Sequence, residues 1–197
     1  MHIIGGLYKG RSLYIPKSIR PTMGQVRESL FNIINISNKS FLELFAGSGA
    51  VSLEALSRGA SHVTLVENSR SSQKAIQKNF DFLSEKPFKV IPLDVSRFLL
   101  GNTTSNSPKL IQKRSSLNSY DVIFLDPPYQ YLEINLLFHQ IYLASLMHKE
   151  SLLIYEHEYP IPSLLQKEID TCFHLKKTYK YGRTFLSVYH LKIEKKD

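Results

Sequence analysis

The sequence predicts an α/β protein built on a doubly wound, seven-stranded, mostly parallel sheet, preceded by a small hairpin-plus-helix extension. Three observations predict it. From Phe41 onward, short apolar runs alternate with helix-period segments, the pattern of a parallel sheet covered on both faces. The last two apolar runs are separated only by a Gly-Arg pair and its neighbours, the spacing of an antiparallel hairpin. At 197 residues, 43% apolar and 21% charged, the chain has the size and make-up of one ordinary domain with a substantial core.

Taken in order, residues 1–40 form a basic leader. His2–Ile4 and Ser12–Ile15 suit a small hairpin around Gly5-Gly6 and Gly10. After Pro21-Thr22, the positions of Val26, Leu30, Ile33 and Ile34 place an apolar face along a helix. The strand candidates that follow are Phe41–Phe45, His62–Val66, Phe88–Pro92, Tyr120–Leu125, Ser151–Tyr155, Phe173–Lys180 and Thr184–Leu191. Helices are expected over Ala50–Arg58, Ser69–Leu83 and Leu132–Met147. Residues 101–119 are Ser/Asn-rich and read as a solvated loop without chemistry. The organisation expected is therefore an extension over 1–40 and a main domain over 41–197.

Net charge is +8, and both ends carry it. Residues 1–40 hold six basic side chains against Glu28, a net of +5, and the stretch from Thr171 onward is again +5. Positive ends flanking a slightly acidic middle suit phosphate binding. The single cysteine, Cys172, excludes an internal disulfide and offers no metal cluster. No run approaches the ~18 apolar residues that span a bilayer. The opening Met1-His2-Ile3-Ile4-Gly5-Gly6 lacks a basic segment followed by an apolar one, so no signal peptide is expected. The default reading is a cytoplasmic protein with no membrane contact.

Two motifs carry chemistry. The first, Phe41-Leu-Glu-Leu-Phe-Ala-Gly-Ser-Gly49, is a strand running into a glycine turn that opens a helix, where backbone N–H groups approach a ligand closely. Three acids stand beside successive strand ends. Glu43 is placed for a ligand's ammonium, Glu67 for two ribose hydroxyls and Asp94 for an adenine amino group. A nicotinamide dinucleotide would use similar geometry, but the third glycine of that fingerprint falls on Ser52.

The second motif, Asp126-Pro127-Pro128-Tyr129, follows the apolar run Tyr120–Leu125. It puts a carboxylate, rigid carbonyls and an aromatic face at one sheet edge. That set suits a planar ring with an exocyclic amine: the acceptors take the amine protons and the tyrosine stacks on the ring. Together the motifs point to amine methylation by a nucleoside-type donor, with no metal and no strong general base. Hydride transfer gives Asp126-Pro-Pro-Tyr129 no role, and a binding-only protein on the same fold would be expected to have lost Asp126 or the turn.

With these motifs, the sequence resembles a class I S-adenosylmethionine-dependent amino-methyltransferase. More narrowly it is similar to the RsmD family, the bacterial 16S rRNA guanine-N2 methyltransferases. The family's opening pattern stands as Ile3-Ile4-Gly5-Gly6 through Lys9-Gly10-Arg11, then Arg20-Pro21-Thr22 and Arg27-Glu28-Ser29-Leu30-Phe31-Asn32. Leu53 through Ala60 and Tyr181-Gly182 with Thr184 match further on. Two positions depart: Glu43 stands where Asp is usual and Ser52 where Gly is common.

The resemblance implies that S-adenosylmethionine is held by Glu43, Phe45, Ala46, Gly47, Ser48, Gly49, Glu67, Asn68, Asp94 and Val95. It implies that Asp126, Pro127, Pro128 and Tyr129 hold the acceptor base. The partner implied is 16S rRNA in the small ribosomal subunit or an assembly intermediate, met by a monomer. Lys9, Arg11, Arg20, Arg27 and Arg183 are the expected backbone contacts, Arg27 having Glu28 and Glu54 as alternative partners. Asp-Pro-Pro-Tyr serves N6-adenine chemistry as well. The short stretch after Asp126 and the small leader leave no room for a DNA-reading domain.

Overall fold

The computed structural model describes residues 1–16, 22–103, 119–128, 131 and 133–192. Arg20 and Tyr129 lie outside the described residues. The elements run α1 (Gly24–Ile33), β1 (Ser40–Leu44), α2 (Ala50–Ser57), β2 (His62–Val66), α3 (Arg70–Phe80), β3 (Phe88–Ile91) and α4 (Val95–Thr103). They continue with β4 (Tyr120–Leu125), α5 (Ile134–Leu143), β5 (Met147–His157), α6 (Ser163–Ile169), β6 (Phe173–Tyr181) and β7 (Thr184–Leu191).

The seven strands form one sheet in the order β3-β2-β1-β4-β5-β7-β6. Strands β1 to β5 are mutually parallel, and β7 runs antiparallel to both β5 and β6. The expected doubly wound sheet with a reversed last strand is the one found. Strand order reverses between β1 and β4, where a doubly wound sheet opens its ligand crevice.

Two apolar layers cover the sheet. Phe41, Val63 and Phe124 face one way, against α1, α2 and α3; Leu42, Leu44, Ile123 and Phe138 belong to the other, under α4, α5 and α6. Each fully buried strand alternates between these layers, because successive side chains point to opposite faces. No helix among the described residues is long and apolar enough to cross a membrane.

The leader belongs to the first layer. Ile3, Leu13, Val26, Leu30, Phe31 and Ile34 are all buried there. His2 pairs with Ser12 in one antiparallel bridge, the core of the expected hairpin. Glu54 on α2, fully buried, clamps it: its Oε2 accepts from the Ile4 N–H and its Oε1 from the Gly5 N–H and Arg58 Nε, each at 2.8 Å. Gly6 follows at φ 76°, where a Cβ would sit 1.8 Å from the Ser57 carbonyl oxygen, so the hairpin lies flush on the end of α2 only with glycine there.

Arg27 is a correction. It is 1% exposed, donates to the His2 carbonyl at 2.9 Å and lies within the field of Glu54 and Glu43. Burial pulls its guanidinium pKa down, and the two carboxylates push back. A side chain so enclosed cannot touch RNA; its bond to His2 ties α1 to the hairpin within the leader.

Some elements also differ from expectation. Helix α5 ends at Leu143 and β5 begins at Met147, because Ser145 turns the chain at φ 52° and Met147 pairs with Tyr120. Helix α6 falls where no element was assigned, and α4 reaches Thr103, into the loop expected over 101–119, of which 104–118 lie outside the described residues. The sheet's outer strands are β6, with Lys176, Lys177 and Lys180 exposed and a register shift between Leu175 and Lys177, and the four-residue β3 with exposed Lys89.

Candidate functional site

The two motifs meet at the carboxyl edge of the sheet. Strands β1 and β4 pair in parallel with Leu44 opposite Leu125, so Phe45 and Asp126 leave the sheet side by side. Phe45 adopts φ 62°, a left-handed conformation that costs a non-glycine residue about 1–2 kcal/mol. Gly47 and Gly49 follow at φ 54° and 73°. The turn is held by Ala46 N–H to the Val66 carbonyl (3.1 Å) and Gly49 N–H to the Ala46 carbonyl (2.8 Å). At Gly49 a Cβ would meet Phe80, Leu65 and Ile76 at 2.9–3.2 Å, so glycine is required both for φ and for the close approach of turn to α3.

Glu67 follows β2 and is buried. Its Oε2 accepts from the Gly47 N–H and its Oε1 from the Ser69 N–H, both at 2.7 Å. It therefore shapes the turn from the neighbouring strand end, where the sequence placed it. Asp94 follows β3 and is exposed; its Oδ1 accepts from Ser96 N–H (2.9 Å) and Arg97 N–H (3.4 Å), capping α4. Asn68 beside Glu67 is exposed, Ser48 is buried in the turn, and Val95 is buried at the start of α4.

Glu43 is a second correction. Its carboxyl is 3% exposed and turned beneath the turn, where Oε2 accepts from the Ser52 N–H (2.9 Å) and from the Ser52 hydroxyl. The longer side chain and the hydroxyl that replaces a hydrogen are thus each other's partner: the two departures from the family pattern form one contact. Glu43 braces the floor of the turn rather than presenting itself to a ligand.

Burial pushes the Glu43 pKa up to about 8, with the charges of Asp126 and Glu67 adding to the effect and the Ser52 bonds opposing it. The folded protein thus keeps this proton up to about pH 8, while the unfolded chain releases it near 4.5. The stability it contributes is complete below pH 4.5 and is lost as pH rises through 8. Against Glu43→Gln, wild type is expected to lose roughly a few kcal/mol between pH 5 and 8.5 in urea unfolding. Parallel pH curves for the two proteins would refute the assignment.

Asp126 is half-buried, Pro127 buried and Pro128 exposed. The Tyr131 N–H bonds to the Pro128 carbonyl at 2.8 Å, and the Tyr131 ring meets Phe45 edge-on at 5.4 Å. Beside Asp126 opens a cavity walled by Tyr131, Tyr155, Glu156, His157 and Glu158, with exposed Tyr159 and buried Thr184 also lining it. Asp126 also helps burial to raise the Tyr155 pKa to about 12, so its charge reaches that wall. His157 stacks between Tyr155 (4.7 Å) and Phe185 (5.3 Å), and its Nδ1 lies 2.6 Å from the Tyr159 carbonyl.

Of the expected RNA contacts, Lys9, Arg11 and Arg183 are exposed. The Arg11 guanidinium lies 3.4 Å over the Phe82 ring, and Arg183 sits in the β6–β7 turn beside Thr184 of the cavity wall. Sequence reasoning missed Tyr131 and the tyrosine-histidine wall of β5. The alternation of Tyr155, Glu156, His157 and Glu158 at a strand end next to Asp126 was the available signal.

The sheet order, the turn after β1 and the acidic loop after β4 define the fold of class I methyltransferases. One solved structure that shares it, described as "Putative methyltransferase yhhF from Escherichia coli", is 27% identical with a TM-score of 0.76 over 98% of both chains. The chain belongs to the family described as "Conserved hypothetical protein 95", whose model matches residues 1–190. The relatives of that lineage include the "Ribosomal RNA small subunit methyltransferase D" of Escherichia coli, 36% identical over 134 residues. That match spans 66% of this chain and 61% of the relative's length. A Bacillus subtilis protein named "Putative rRNA methyltransferase YlbH" is 30% identical over 193 residues, 96% of this chain and 98% of its own length.

Proposed function

We propose that this protein transfers a methyl group from S-adenosylmethionine to the exocyclic N2 amine of a guanine in 16S rRNA. Its substrate is the small ribosomal subunit or an assembly intermediate, met by a monomer in the cytoplasm. The observation that carries the reading is the β1–β4 register, which sets the glycine turn beside the Asp126 loop. The names of the relatives support the rRNA substrate.

The residues at the turn fit the donor. Glu67 stands at the ribose position and Asp94 at the adenine position, with Asn68 and Val95 alongside. The backbone of Phe45, Ala46, Gly47, Ser48 and Gly49, packed down onto α3 by Gly49, makes a close wall for the donor. When bound, the donor supplies a methyl group on a positively charged sulfur, already activated for displacement.

Asp126 and the Pro127 carbonyl accept from the two hydrogens of the amine and hold its nitrogen pyramidal, with the lone pair turned out of the ring. Holding the pair in line supplies much of the rate. As the nitrogen becomes cationic, Asp126 stabilises it and the proton passes to solvent. Tyr129 and the tyrosines of the cavity wall take the faces of a base drawn out of its stack. Glu156 and Glu158 favour guanine: its Watson–Crick edge offers N1–H and N2–H together, whereas adenine offers an acceptor at N1. The extension over 1–40, with Lys9, Arg11 and Arg20, and the turn at Arg183 contact the phosphate backbone.

The test is tritiated methyl transfer to partly assembled small subunits, naked 16S rRNA and duplex DNA, followed by identification of the nucleoside. N2-methylguanosine from the ribosomal particles is expected. N6-methyladenosine, or transfer only to DNA, refutes the reading.

A further inference from the structure

The leader touches both halves of the site. Asn79, buried near the end of α3, accepts from the Tyr14 N–H at 2.7 Å and donates from Nδ2 to the Tyr14 and Ser48 carbonyls, both at 3.0 Å. That ties the leader to the glycine turn. On the other side, Thr22 donates its Oγ1 hydrogen to Asp126 Oδ2 at 3.2 Å, across 104 positions of sequence.

The placement of Thr22 is unusual for a hydroxyl just ahead of a helix. Such a group ordinarily turns back to cap the helix's own first N–H groups. Helix α1 has Met23 at its N-cap position and no side-chain capping bond, and the Thr22 hydroxyl reaches the Asp126 loop instead. The carboxylate it meets stands among acidic and phenolic neighbours, since the Asp126 charge reaches both Glu43 and Tyr155.

We propose that Thr22 is a positioning residue for methyl transfer: its hydroxyl sets the plane of the Asp126 carboxylate toward the acceptor amine and joins the leader to the reacting centre. The proposal rests on the methyltransferase reading above. The last torsion of an aspartate is broad and two-fold, so a fixed donor on one oxygen biases which way its lone pairs face.

Thr22→Val removes the hydroxyl at nearly constant shape, and Thr22→Ser keeps it. In single-turnover methylation of small-subunit particles, Thr22→Val is expected to be about tenfold slower, the loss typical of a hydrogen bond to a charged group. Its KM for the particle, its affinity for sinefungin and its Tm are expected to stay at wild-type values, and Thr22→Ser is expected to restore the rate. In an Asp126→Asn background, Thr22→Val is expected to add less than about a twofold further loss, because both changes act through one contact.

A Thr22→Val protein at full rate overturns the proposal. So does a defect that serine leaves unrepaired, one matched by an equal loss of thermal stability, or one that persists undiminished beside Asp126→Asn. A wild-type protein that methylates no rRNA refutes the functional reading itself, and this role with it; failure of the Thr22 role alone shows against an active wild type.

Discussion

Asp126→Ala is expected to lower the rate of methyl transfer by about 10³-fold, within the range for removing a group aimed at charge that develops in the transition state. Asp126 leaves β4 directly beside the glycine turn and lines the cavity proposed to hold the base. The amine is a weak nucleophile because its lone pair is shared with the ring, and it turns cationic as the methyl arrives. A carboxylate beside it favours the charged product side over the neutral start. Donor affinity is a separate property of the turn, so sinefungin binding by calorimetry is expected to stay within about threefold of wild type in this variant. Glu67→Ala is expected to do the reverse, weakening the donor by about 10–100-fold through loss of charged hydrogen bonds. Equal loss of donor binding in both variants would show that the two carboxylates do not divide the work in this way.

Glu54→Ala is expected to give the largest loss of stability, roughly 3–5 kcal/mol. The carboxylate is fully buried and accepts from three donors: two backbone N–H groups of the leader and Arg58 on its own helix. Alanine leaves those donors without acceptors inside the protein and removes the counter-charge near buried Arg27. Urea unfolding gives the magnitude, and amide hydrogen exchange gives the location. Ile4 and Gly5 are expected to lose protection ahead of the sheet, with RNA affinity falling as Lys9 and Arg11 lose their platform. Unchanged exchange at Ile4 and Gly5 would show that the clamp is not what holds the leader.

The sheet was legible because burial on both faces demands continuous apolar runs, and Phe41–Phe45, His62–Val66 and Tyr120–Leu125 are such runs. Segments whose character depends on a single backbone angle were not. Ser145 at φ 52° ends one element and lets polar His148-Lys149-Glu150 extend the next strand, and nothing in a serine announces that. Helix α4 was hidden by a functional reading: Asp94 was assigned to a ligand, although it also caps the helix whose Val95, Phe98 and Leu99 follow at helical spacing. Arg27 was read from its charge. Its helical spacing from Leu30, Phe31 and Ile34, all core residues, would have placed it inside. At the site, the motifs identified the strand ends correctly, but how each carboxylate is used depends on its partner. Glu67 follows its strand as expected, with both oxygens taken by the Gly47 and Ser69 N–H groups, whereas Glu43 could be understood only once Ser52 was seen against it.

The two outermost strands give the molecule a further property. Every open sheet exposes a ladder of backbone donors and acceptors to which a neighbouring molecule's extended segment can add. Here one margin is a strand only four residues long, and the other bears three lysines and a break in register, so an incoming strand meets like charge and a twisted template. Charges that attract a polyanion on one occasion repel a second copy of the same chain on every other, so the β6 lysines serve colloidal stability whether or not RNA is near.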